Sequence, residues 1–116
     1  MIEVIPIKLE NGIAIGITVQ YPKTTLLSIC TKVGYIMCGV LDIAMVDNLH
    51  RDRNIVAARM IHVKSFEDLL NAKVLDATIQ AKRIGIVPGK TTGREALELM
   101  LQLEKKVDSH PSFVIK

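Results

Sequence analysis

The chain has 116 residues, a net charge of +3 and an apolar fraction of 49%, which indicates one globular domain with a single core. Aromatic residues make up only 3% of it, whereas proteins that hold single-stranded nucleic acid use aromatic stacking. Its apolar runs are too short to cross a bilayer, and its two cysteines are too few for a disulfide framework. We therefore expect a cytoplasmic protein with no membrane partner, and we do not expect nucleic acid as a partner.

The first two segments alternate between apolar and polar residues, which is typical of strands. The alternation runs over residues 2–9 and 13–19, on either side of Glu10-Asn11-Gly12. A two-residue Asn-Gly turn would pair Ile7 with Gly16, whereas a three-residue loop with Gly12 in the left-handed conformation would pair Ile7 with Ile15. Because the second register places every apolar side chain on one face, we predict the three-residue loop.

Three further strands are predicted, over residues 25–32, 35–40 and 55–63. Asp42 is a suitable N-cap for a short helix over residues 43–49. The order strand, helix, strand predicts a crossover that makes the fifth strand parallel to a neighbour.

Two longer helices follow. Ser65, with Asp68 three residues later, predicts the start of a helix that continues to Gly85 at its C-terminal end. Thr92 predicts the start of the last helix, with Glu95 reaching back as in a capping box.

Together these elements predict an α+β domain over residues 1–106. Its mixed sheet has about five strands, formed by an N-terminal meander of hairpins and then a β-α-β unit, and is covered by two longer helices and one short helix. Residues 107–116 are interpreted as a C-terminal tail that forms an edge strand or an oligomer contact. A small aliphatic protein with a sheet has exposed strand edges, which a second copy of the chain would cover. We therefore predict a homo-oligomer, most simply a dimer.

The run from Gly34 to Gly39 contains the strongest candidate site residues. Cys38 ends an apolar strand and precedes Gly39, which allows a ligand to approach the backbone closely. A thiol acts as a nucleophile only as the thiolate, which the dipole of the helix capped by Asp42 would favour. A buried, structural cysteine is the alternative interpretation, and a strained disulfide with Cys30 is a weaker one.

Asn71 and Lys73 are the second pair of candidates. Asn is a poor residue inside the helix predicted from Ser65, so its side chain faces water, bends the helix or binds a ligand. With Cys38, these two residues would offer a thiol, an amide and an ammonium group to a small anion. The alternative is a solvated helix face with a local irregularity.

No metal or cofactor is expected from the sequence. The spacing of His50, His62 and His110 does not suit metal ligands. The segment from Gly85 to Thr92 has three residues between its glycines, whereas a phosphate-binding loop needs four. A helix end, a proline turn and a new N-cap explain it better.

Four segments in order carry a resemblance to a known family: Gly34-Tyr-Ile-Met-Cys-Gly39, Ser65-Phe-Glu-Asp-Leu-Leu-Asn-Ala-Lys-Val74, Gly85-Ile86 and Gly93-Arg-Glu-Ala-Leu97. The chain resembles the YunC-like family, small proteins of bacteria and archaea grouped as a domain of unknown function. The resemblance extends from the first hairpin to the last helix and stops near Glu104. It implies an α+β fold and no established activity.

Three functional hypotheses follow. The absence of a convincing catalytic set favours a non-catalytic ligand-binding or interaction module that acts as a homo-oligomer. The alternative is a small enzyme that uses Cys38, with Lys73 and Asn71, on a small carbonyl or anionic substrate. The third is a nucleic-acid accessory protein that uses Arg51, Arg53, Arg59 and Lys64.

Overall fold

The computed structural model describes residues 1–39 and 55–108, with side chains as far as residue 106. Its strands are β1 (Ile2–Leu9), β2 (Gly12–Tyr21), β3 (Thr24–Cys30), β4 (Gly34–Met37), β5 (Val56–Arg59) and β6 (Asp76–Ala77). Its helices are α1 (Phe66–Asn71), α2 (Ile79–Arg83) and α3 (Gly93–Asp108). The short helix predicted over residues 43–49 and the tail after residue 108 lie outside the described residues.

The strands form one sheet in the order β1-β2-β3-β4-β5-β6. All neighbours are antiparallel except β4 and β5, which are parallel. The predicted α+β class, with a mixed sheet that begins as a meander of hairpins, is therefore confirmed. The sixth strand is a two-residue addition that the sequence analysis did not predict.

The register of the first hairpin differs from both predicted alternatives. Leu9 pairs with Gly12 and Ile5 pairs with Gly16, so the loop consists of Glu10 and Asn11 alone. This register separates the apolar residues of β1 and β2, because even-numbered residues of one strand share a face with odd-numbered residues of the other. The prediction that every apolar side chain of the hairpin lies on one face is wrong.

Three hydrogen bonds to the loop account for this register. The Glu98 carboxylate of α3 accepts the backbone N–H of Glu10 and of Asn11, both at 3.0 Å, and the side-chain amide of Asn11 at 3.0 Å. Both loop amides therefore have a partner, and the loop needs no third residue.

The helix predicted from Ser65 to Gly85 is divided into α1, β6 and α2. Leu75 donates its backbone N–H to Arg59 O at 2.8 Å, and Thr78 donates to Ala57 O at 2.9 Å. These bonds to β5 replace the bonds that a continuous helix would make within itself. The helical spacing of the apolar residues was therefore a misleading signal over this segment.

The predicted helix ends are confirmed at three positions. Ser65 Oγ accepts the N–H of Asp68 at 3.1 Å. Thr92 Oγ1 accepts the N–H of Glu95 at 3.2 Å, while the Glu95 carboxylate accepts the N–H of Thr92 at 2.9 Å, a complete capping box. Gly85, with φ 109°, follows the C-cap of α2.

The core lies between one face of the sheet and the helices α1 and α3. Register places one row of residues across all six strands, in the order Ile5, Gly16, Ile29, Ile36, Ala58, Ala77. All of these except Ile5 are buried. Helix α3 packs against this helix-covered face through Ala96, Leu97, Met100 and Leu101.

Gly93 lets α3 begin directly against α1. A Cβ atom at Gly93 would overlap the carbonyl oxygen of Leu69 and lie 2.8 Å from Met60 Cε. We expect Gly93→Ala to lower the free energy of unfolding by about 3 kcal/mol, because the backbone of α1 has to move. Urea denaturation followed by circular dichroism measures this change.

Gly39→Ala is the matched control, since a Cβ there would meet Ile61 Cγ2 at 3.4 Å, an ordinary contact. We expect a change below about 1 kcal/mol for this variant. Equal effects of the two substitutions would contradict the close approach of α3 and α1.

Candidate functional site

Cys38 is a buried residue that continues the ladder between β4 and β3. Its backbone N–H donates to Leu27 O at 3.0 Å, and its Sγ accepts the N–H of Leu27 at 3.4 Å. It is 7% exposed and belongs to the hydrophobic core. Cys30 pairs with Tyr35 instead of facing Cys38, and both thiols are free. These contacts favour the structural interpretation of Cys38.

Gly39 lies on the surface at the carboxyl end of the parallel pair β4–β5. A Cβ atom there would approach Ile61 and, more distantly, Met60 O. His62, next to Ile61 in the segment after β5, has a left-handed backbone conformation with φ 61° and an exposed side chain. Ligands of open sheets bind at the carboxyl ends of parallel strands, so Gly39 stays a candidate by its place in the fold.

Asn71 and Lys73 are both exposed. Asn71 is the last residue of α1, so it does not interrupt a helix. Lys73 forms an isolated antiparallel bridge with Thr92, just before α3 begins. The irregularity that singled out Asn71 is therefore a helix end.

Cys38, Gly39, Asn71 and Lys73 do not line the groove beside Ile13, the cavity beside α3 or the cleft beside Lys64. Cys38 is buried beside β3, whereas Asn71 and Lys73 are exposed around the end of α1. A joint anion site built from these residues stays a prediction.

Arg59, one of the residues of the nucleic-acid hypothesis, is held by an acidic neighbour. Its Nε and Nη2 donate to the two carboxylate oxygens of Asp76 at 3.0 and 2.8 Å, which joins β5 to β6. A bidentate pair of this kind leaves less of the guanidinium for a phosphate group. Arg51 and Arg53 lie outside the described residues, and Lys64 is exposed.

An exposed apolar surface lies on the hairpin β1–β2, on the side opposite the core. Ile2, Val4 and Ile13 are 70%, 60% and 59% exposed, and Ile15 is 37% exposed. Cross-strand pairing joins Ile2 to Val19, Val4 to Ile17 and Pro6 to Ile15. We call this surface the outer hairpin face; it consists of Ile2, Val4, Pro6, Ile13, Ile15, Ile17 and Val19.

The outer hairpin face continues toward β3. A groove of about 390 Å³ is lined by Ile13, Ile15, Cys30 and the turn after β3, with Glu104 at its rim. Leu26 of β3 pairs with Val19 and is half-buried. The outer hairpin face therefore borders on Leu26 and Cys30 of β3, which lie on either side of the buried Ser28.

The register predicted from the sequence concealed this surface, because it placed Ile13, Ile15 and Ile17 in the core. A signal for the true arrangement is present in the chain. Ala14 and Gly16 alternate with the large residues of β2, and small residues are what a closely packed helix requires beneath it.

A second cavity, of about 430 Å³, lies beside α3 and the first hairpin loop. Its charged lining residues are Glu10, Arg94, Glu95 and Glu98. Burial raises the pKa of Glu98, but the hydrogen bonds from Asn11 and Glu10 and the nearby Arg94 lower it by more, so the net shift is downward. The carboxylate that holds the hairpin loop is thus ionised at neutral pH.

Among residues 1–39 and 55–106, no group of three His, Cys, Asp or Glu side chains could hold a metal ion. Within the described ranges, no helix is long and apolar enough to cross a bilayer.

The fold and these surfaces define the class of protein: a small α+β domain with a mixed sheet, helices on one face and an apolar hairpin on the other. Residues 37–100 match the family model described as a domain of unknown function, DUF1805. The chain is 37% identical over 102 residues to the uncharacterized protein YunC of Bacillus subtilis, covering 88% of this chain and 100% of that protein. The chain therefore belongs to the YunC-like, DUF1805 family.

A solved structure shows the same fold. The crystal structure of a protein of unknown function from Thermoplasma acidophilum superposes with a TM-score of 0.75 at 28% identity, covering 84% of this chain and 91% of that one. Both relatives are described as uncharacterised or of unknown function. The comparisons thus establish the family and the fold.

Glu98→Gln tests the contact between α3 and the hairpin loop. A lowered pKa in the folded state contributes stability above the pKa of the unfolded chain, and this contribution is lost as the pH falls through the folded value. We expect Glu98→Gln to cost about 1 kcal/mol at pH 7 and progressively less below about pH 4. Denaturation curves between neutral and acid pH measure the difference.

Glu67→Gln, at an exposed position of α1, is the control and should change stability little at any pH. If the free energies of unfolding of the wild type and Glu98→Gln differ by the same amount down to acid pH, the ionised Glu98 carboxylate does not stabilise the hairpin loop.

Thiol labelling separates the two interpretations of Cys38. Because its Sγ is buried and holds the N–H of Leu27, we expect Cys38 to react with a disulfide reagent at neutral pH at least about a hundredfold more slowly than in the unfolded chain. Labelling of Cys30→Ser, which leaves Cys38 as the remaining thiol, gives this rate directly. Rapid reaction in the folded protein would instead support a catalytic thiolate.

Proposed function

We propose that the protein is a non-catalytic interaction module that works as a homodimer through the outer hairpin face. The observation that carries this proposal is the exposure of Ile2, Val4 and Ile13, which are 59–70% accessible in a contiguous patch. An apolar patch of a few hundred Å² is often a contact surface.

The size of the patch suits a modest dimer. An eight-residue strand is about 26 Å long, and the two strands of the outer hairpin face are about 10 Å wide, which gives a flat area on the order of 250 Å². Interdigitated side chains bury more accessible surface than this flat area. At this size the interface lies at or below the roughly 600 Å² per partner of the smaller specific interfaces, so we expect a weak, reversible dimer.

The chemistry of the patch favours a second copy over a charged partner. Lys8 is the one charged residue of β1 and β2 that shares this side of the hairpin, and it lies at one end. A two-fold axis brings the same apolar surface of two copies together, and sheets pack face to face about 10 Å apart. A nucleic acid or an anionic headgroup would contact a single cationic side chain on this face, that of Lys8, which favours an apolar partner instead.

Pro6 supports contact through the face of the hairpin instead of the edge of the sheet. Gln20 donates its N–H to Met1 O at 2.8 Å, and the antiparallel pattern then directs the backbone groups of Ile2, Val4, Pro6 and Lys8 away from β2. Pro6 has no N–H, so a strand added at this edge would lack one bond. Proline on an edge strand is a common protection against edge pairing.

Val4→Glu and Ile13→Glu test the interface. Each places a carboxylate on the outer hairpin face, and desolvating it should weaken the dimer at least tenfold, about 1.4 kcal/mol. Sedimentation equilibrium measures the dimer dissociation constant. Because both side chains are exposed, we expect the thermal unfolding of the monomer to change little.

Val87→Glu is the matched control, since Val87 is 46% exposed and lies in the loop between α2 and α3, outside the outer hairpin face. It should leave the dimer unchanged. A wild-type protein that is monomeric at about 100 µM would refute the proposal, and so would equal weakening by Val87→Glu.

The enzyme hypothesis and the cytoplasmic location stay proposals. Catalysis by Cys38 would require its thiol to leave the contact with Leu27, which the labelling experiment tests. The free thiols of Cys30 and Cys38 support a reducing compartment.

A further inference from the structure

We propose that a cleft at the open end of the first two hairpins binds a small zwitterion, a molecule of amino-acid type with one ammonium group and one carboxylate. The cleft has a volume of about 290 Å³. It is lined by Glu3, Thr18, Gln20, Thr25, Leu27, Lys64, Ser65 and Phe66. This binding site is separate from the proposed dimer interface.

The sheet register explains why these polar residues converge. Glu3 pairs with Thr18, Thr18 with Leu27, and Gln20 with Thr25. Residues that pair directly across strands point to the same face, so all five side chains share the helix-covered face. They lie beyond the contact of Phe66 with Gly16, where the sheet carries polar instead of apolar residues.

These polar groups are available for a ligand. Within residues 1–39 and 55–106, the side chains of Glu3, Thr18, Gln20, Thr25 and Lys64 make no hydrogen bond or ion pair. Ser65 Oγ accepts one bond from Asp68 N–H and keeps its own hydrogen to donate. The two apolar residues that line the cleft, in contrast, are well packed: Leu27 is 3% exposed and Phe66 packs against the core.

The two charges in the cleft determine the class of ligand. Glu3 and Lys64 line the same cavity but do not form an ion pair. A ligand with both signs of charge can satisfy each of them, with its ammonium group on Glu3 and its carboxylate on Lys64. At roughly 30 Å³ for one water, the cleft has room for about ten non-hydrogen atoms, the size of an amino acid.

The larger cavity beside α3 is a weaker candidate for the same chemistry. Its Glu98 carboxylate already accepts three hydrogen bonds from the first hairpin loop, and Glu95 caps α3. A ligand there would have to displace contacts that stabilise the fold. In the cleft at the hairpin ends, no such contact has to break.

Nuclear magnetic resonance tests the proposal on the full chain. Each standard amino acid is added at about 10 mM, ten times a dissociation constant of about 1 mM, while backbone amide shifts are recorded. We expect at least one to shift the amides of Thr18, Gln20, Thr25 and Ser65 in a saturable way. The analogues of that amino acid that lack the ammonium group or the carboxylate should bind at least tenfold more weakly.

Glu3→Gln and Lys64→Met should each weaken binding at least tenfold. Their controls are Glu10→Gln, just beyond the other end of β1, and Lys90→Met, in the loop before α3; both should bind as the wild type does. Absence of saturable shifts at the cleft with every amino acid overturns the proposal, as do shifts that survive both cleft variants. Loss of the dimer in Val4→Glu with binding retained would separate this site from the dimer interface.

Discussion

The pairing of Ile5 with Gly16 is the constraint on which the architecture depends. Side chains alternate between the two faces of a strand, so this one register decides which residues of the first hairpin are buried. Gly16 lies beneath Phe66, and a Cβ atom there would be 2.9 Å from Phe66 Cε1. The large residues of β2 must therefore lie on the opposite side, which creates the outer hairpin face.

Helix α3 stabilises this register from the other side of the core. Glu98 accepts the amides of the β1–β2 loop, and Glu104 accepts the N–H of Lys32 at 2.9 Å in the β3–β4 turn. The two carboxylates lie on one helix, six positions apart, and hold the turns of two hairpins. The helix is thus both a packing surface and a template for the loop geometry, and neither function involves a catalytic group.

The two proposed surfaces follow from the same register. The outer hairpin face collects the aliphatic residues that the helices leave no space for. The cleft at the other end of the hairpins lies on the helix-covered face at the N-terminal end of α1, where polar side chains of the sheet replace aliphatic ones.

Local signals in the sequence determined the helix ends, the meander of strands and the α+β class. A capping box or a run of alternating residues is readable because its physical cause lies within a few neighbouring positions. The register of β1 and β2, and the division of the predicted helix into α1, β6 and α2, were decided by tertiary contacts. Glu98 is 87 residues from Asn11, and the bonds from Leu75 and Thr78 end on β5. The cleft could not be predicted from the sequence for the same reason. Glu3 and Lys64 are far apart in the chain and line one cleft only when α1 packs on the sheet.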